Sequence, residues 1–64
     1  MFNLAARTNA IRVISTIRPD LTIREVGELA FIWQDLDTYR LIATIQPTWT
    51  VRQVGTKAKE LGDL

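Results

Sequence analysis

The sequence predicts an all-α domain of four short helices, arranged as two tandem αα-hairpins. Three observations carry that prediction. Residues 12–27, RVISTIRPDLTIREVG, recur as residues 40–55, RLIATIQPTWTVRQVG, at an offset of 28, and nine of those 16 positions are identical. Each copy then carries a proline followed three residues later by a threonine that opens a capping box, TIRE from Thr22 to Glu25 and TVRQ from Thr50 to Gln53. Downstream of each cap the apolar residues fall at helical spacing. The internal repeat is read as copies 12–36 and 40–64 within a single helical domain, 1–64.

The first helix is expected over residues 3–18. Ile11, Ile14 and Ile17, with Val13, form its apolar face, and Pro19 stops it because the residue before proline is pushed out of the α region. The second is expected over 23–34. Thr22 and Glu25 cap it, Leu21 and Val26 staple it, and Ile23, Val26, Ala30 and Trp33 mark its inner face. The third runs over 38–46, with Asp37 as cap, Tyr39, Ile42 and Ile45 (with Leu41) as inner face, and Pro47 as stop. The fourth runs over 51–61. Its cap is Thr50 with Gln53, its staple Trp49 with Val54, its face Val51, Val54, Ala58 and Leu61, and its terminator Gly62. The β-branched content argues mildly against helix. Caps and periodicity outweigh it, because packing decides helices this short.

Gly27 and Gly55 sit inside helices two and four, where glycine costs about 1 kcal/mol relative to alanine. The expected reason is close approach of the preceding helix, where Ser15 and Ala43 are also small. On that expectation leucine at position 27 is far worse than alanine.

Composition narrows the function. A 64-residue chain buries only about 60% of its unfolded surface and is marginal alone. There is no Cys and no His. Disulfides, thiolate metal sites and the commonest general base are therefore missing. With no Gly-rich phosphate loop and no nucleophile motif, the expectation is a non-enzymatic protein with no catalytic residues, no metal ligands and no cofactor. A net charge of +1 gives the whole molecule no strong field for nucleic acid or membrane. Nothing resembles a leader or an 18-residue apolar span, and a cytoplasmic, membrane-free location is expected. No small-molecule substrate is evident. The 47% hydrophobic content points instead to a protein partner or a homo-oligomer as the source of extra burial.

The two copies diverge on one outer surface. Leu29, Phe31 and Ile32 in the first copy correspond to Lys57, Lys59 and Glu60 in the second. The run Leu29, Phe31, Ile32 and Trp33 makes helix two apolar nearly all round. Such a helix is either central, covered by helices one and three with help from Phe2 and Leu4, or carries a partner-binding patch. Helix four instead carries Arg52, Gln53, Thr56, Lys57 and Lys59. The capped Arg-Gln pair at its start resembles the beginning of a helix-turn-helix recognition helix, although the preceding turn is longer than the familiar one and lacks its glycine. Two functions follow. The first is a small regulatory or adaptor protein that binds a protein partner through helix surfaces and self-associates. The alternative is a dimeric helix-turn-helix-like DNA-binding transcriptional regulator that uses helix four.

Overall fold

Four helices form where the caps and prolines place them. In the computed structural model, which describes residues 4–62, they are α1 (Leu4–Ile17), α2 (Ile23–Ile32), α3 (Thr38–Ile45) and α4 (Val51–Glu60). Both capping boxes close in both directions. The Thr22 N–H donates to Glu25 Oε1 (2.9 Å) and the Glu25 N–H to Thr22 Oγ1 (3.1 Å). The Thr50 N–H donates to Gln53 Oε1 (2.8 Å) and the Gln53 N–H to Thr50 Oγ1 (3.2 Å). Each box satisfies two backbone donors that a helix start leaves open. Asp37 caps α3 by accepting from the Arg40 N–H at 2.8 Å. Gly62 ends α4 at φ +81°, a left-handed conformation that glycine adopts without steric cost.

α2 is shorter than its apolar pattern suggested. It ends at Ile32, and Trp33 is its C-cap, the indole half-buried against the core. Trp33 thus contributes packing from a turn. Phe2, and the last two residues of the second repeat copy, lie outside the described residues.

The packing order is α2–α1–α3–α4. α1 packs on α2 and on α3, and α3 packs on α4. Among the described residues α2 makes no helix contact besides α1, so it is a flanking helix and not the central one. The large buried side chains explain why. α1 contributes Val13, Ile14 and Ile17, and α3 contributes Leu41, Ile42 and Ile45, whereas α2 and α4 each bury one valine and one alanine. Fully burying an isoleucine or leucine is worth about 1.5–3 kcal/mol, so the two isoleucine-rich helices take the centre. Burial follows the 28-residue offset throughout: Ala10 with Thr38, Val13 with Leu41, Ile14 with Ile42, Ile17 with Ile45, Val26 with Val54, and Ala30 with Ala58.

Polar contacts pin the long-range arrangement. Asn9 Nδ2 donates to the buried Thr38 Oγ1 (3.2 Å), tying α1 to the start of α3. Arg12 is held by Asn9 Oδ1 (2.8 Å) and donates to the Leu61 carbonyl (2.9 Å). A cation at that carbonyl also complements the negative end of the α4 dipole. The radius of gyration, 11.0 Å, matches the value of about 11 Å expected of a compact chain this long.

Candidate functional site

The side chains that the core leaves outside gather along the seam between α1 and α2. On α2, Val26 and Ala30 point inward and Leu29 is half-buried against the core. A helix turns 100° per residue, so Ile23, Gly27 and Phe31, spaced i, i+4 and i+8, run along the edge of the inward face and out to solvent. Phe31 is 57% exposed, Ile32 64% and Ile23 93%. Of the two readings of the α2 run the central-helix one fails at this point, and so do some of the core-face placements. Phe31 and Ile32 are not covered by α1 and α3, because α3 does not reach α2 and Leu4 is itself exposed. Ile23 does not join the inner face of α2, nor does Val51 that of α4. Both are first-turn residues, and both are largely exposed. Ile11, placed on the α1 core face, is also exposed at its edge.

α1 supplies the other wall. Arg7, Ile11 and Ser15 follow the same i, i+4, i+8 spacing. The Arg7 guanidinium stacks on the Phe31 ring, 4.9 Å from its centroid, in cation–π geometry. Two concavities open along the seam. One, about 440 Å³, is walled by Ile11, Ser15, Pro19, Leu21 and Ile23, and the other, about 690 Å³, by Arg7, Glu28, Phe31 and Ile32. Ile23 and Gly27 border both, so the two form one groove with Gly27 at the junction.

Gly27 overturns a further expectation. Its residue is exposed, and a Cβ built on it meets nothing within 4 Å. Ser15 is exposed as well. No close helix approach demands a glycine there; its missing side chain opens the groove outward. At Gly55 the nearest atom to such a Cβ is Tyr39 Cε2 at 3.9 Å, an ordinary contact.

Charge around the groove is mixed, with Arg7, Arg18 and Arg24 against Glu28. Arg24 and Glu28 stand on the outer flank of α2 with Nε and Oε2 3.7 Å apart. At the α1–α2 turn, Arg18 grips Asp20 with two hydrogen bonds of 2.9 and 2.8 Å. Those bonds hold the Asp20 carboxyl below the usual carboxylate range, helped by a hydrogen bond to its own backbone, and raise the Arg18 guanidinium above its ordinary value.

The basic residues of α4 gather only in part. Arg52, Gln53, Thr56 and Lys57 surround a cleft of about 340 Å³ with Trp49, while Lys59 lies outside it. Two of these groups are already engaged. The Gln53 carbonyl oxygen accepts from the Thr50 N–H, and Lys57 Nζ pairs with Glu60 Oε1 at 2.8 Å. A glutamine reads adenine with both its oxygen and its nitrogen, so the cap competes with that use.

Of the four residues that the sequence assigned to the apolar site, Phe31 and Ile32 face solvent, whereas Leu29 and Trp33 support them from the core side. Ile11, Ile23 and Gly27, read from the sequence as core or packing residues, belong to the same surface, as does Arg7, which the sequence did not single out. The available signal was the glycine: a costly residue in a helix interior with no turn to explain it. Comparison with protein-family models, curated proteins and solved structures finds no match to this chain. No helix among the described residues is long and apolar enough to cross a membrane.

Proposed function

We propose that this chain is a small, non-enzymatic regulatory or adaptor protein of the cytoplasm that binds a protein partner, and also self-associates, through the α1–α2 seam. One observation carries the reading. Phe31 and Ile32, with Ile23, stand largely exposed along the α1–α2 groove on a domain whose fully buried core is small and, Thr38 apart, aliphatic. Contiguous apolar surface rimmed by charge is the usual form of a protein interface, with aromatic anchors at its centre. Phe31 is the anchor, Ile32 and Ile23 extend it, and Leu29 and Trp33 hold α2 in place beneath.

A second reading is favoured by a separate observation, the convergence of Arg52, Gln53, Thr56 and Lys57 on one cleft at the start of α4. It makes the chain a dimeric DNA-binding regulator. The two readings differ in their response to salt: phosphate contacts weaken steeply as salt rises, and apolar contacts do not. A pull-down from cell lysate with and without nuclease, read beside the mass by light scattering, separates them. A discrete protein retained after nuclease and lost with Phe31→Glu supports the first reading. Loss on nuclease, and with Lys57→Glu/Lys59→Glu, overturns it in favour of the second.

A further inference from the structure

We infer that the α1–α2 groove receives a second copy of this chain, with two α2 helices crossing antiparallel at Gly27. The inference rests on the reading of the α2 face as an interface and names its occupant. Three observations fit a two-fold axis beside Gly27. The first is shape. Phe31 lies four residues to one side of Gly27 and Ile23 four residues to the other, about 6 Å each way along the helix. A two-fold at Gly27 therefore carries the projecting Phe31 of one copy to the Ile23 end of the other, where the groove of about 440 Å³ lies open. Each copy offers the same knob and the same hole, which is the requirement of an isologous interface. The second is the glycine. It answers no contact within its own chain, yet its missing side chain is what lets two helix backbones approach at a crossing. The third is charge. Arg24 and Glu28 share one flank of α2, and antiparallel pairing brings Arg24 of each copy toward Glu28 of the other. That pair, one charge of each sign, makes this flank of α2 complementary to itself.

The chain contains no cysteine, so Gly27→Cys introduces a single reporter thiol. A crossing at position 27 brings the two Cα atoms near the 4.4–6.8 Å that a disulfide needs. Mild oxidation should give one covalent dimer, and Ile23→Cys alone should not. By sedimentation equilibrium, Arg24→Glu should weaken the dimer about tenfold, as like charges then face each other across the two-fold. Arg24→Glu/Glu28→Arg should restore it. Gly27→Leu should keep its helical circular dichroism and lose the dimer. A dimer that Phe31→Glu dissociates, but in which the Gly27→Cys thiols do not cross-link and the double exchange does not rescue, overturns the Gly27 crossing while leaving the α2 face as the interface. A wild-type chain that is monomeric overturns the second copy as occupant. A lysate partner lost with Phe31→Glu would then leave the proposed function standing.

Discussion

Gly27 and Gly62 are the same residue type with opposite roles. Gly62 holds a positive φ that other residues reach only with strain, whereas Gly27 is an ordinary helical position with empty space around it. Gly62→Ala should therefore lower the melting temperature. Gly27→Ala should raise stability by about 0.5–1 kcal/mol in dilute protein, because alanine is the better helix former and restricts the unfolded chain. Equal losses in both melts would refute the assignment. Asp20 gives a pH dependence whose sign is fixed by its pairing with Arg18. Its folded carboxyl titrates below its unfolded one, so the ionised group stabilises the fold above the ordinary carboxylate range, and that contribution disappears as acid protonates it. The melting-temperature gap between the wild type and Asp20→Asn should be present at neutral pH and close in acid. Because the group is largely exposed, the gap is small.

At the scale of the element, the capping boxes decide where α2 and α4 begin. Thr22→Ala or Thr50→Ala removes one side-chain acceptor and should cost about 1 kcal/mol in chemical denaturation. The two losses should add, since the boxes sit on helices that do not touch. Helix starts were legible because a cap is local chemistry: Thr, then Glu or Gln three residues on, needs no tertiary neighbour. Helix ends were less so. The apolar run through Trp33 continues the helical pattern, but α2 stops at Ile32 and the indole reaches the core from a turn.

For the molecule as a whole, the core is supplied by α1 and α3, and the outer face of α2 is left over. Ile14 is fully buried, and Ile14→Ala should cost about 2–5 kcal/mol. The whole domain is worth about 3–10 kcal/mol at typical stability per residue, so this variant loses a large fraction of it and should melt far below the wild type. Phe31→Glu is expected to behave differently. Less than half of Phe31 is buried, so its loss should cost about 1 kcal/mol of fold, and the new carboxylate stands beside Arg7. It should retain helical circular dichroism while abolishing association. A Phe31→Glu chain that unfolds like Ile14→Ala would place the ring in the core and remove the basis for the interface.

The sequence by itself determined the helix count, the caps at Thr22, Asp37 and Thr50, the stop at Gly62, and most of the residues that α1 and α3 bury. These depend on i to i+4 spacing and on hydrogen bonds within one turn. Only the tertiary structure decided that α2 lies at the edge, that Ile23, Phe31 and Ile32 remain exposed, and that Gly27 opens a groove. Periodicity shows that a helix has an apolar side; which neighbour covers that side depends on the packing order, and that order is set by contacts between residues far apart in the chain. The aliphatic bulk of α1 and α3 drew those two helices together, so no third helix was left to cover α2.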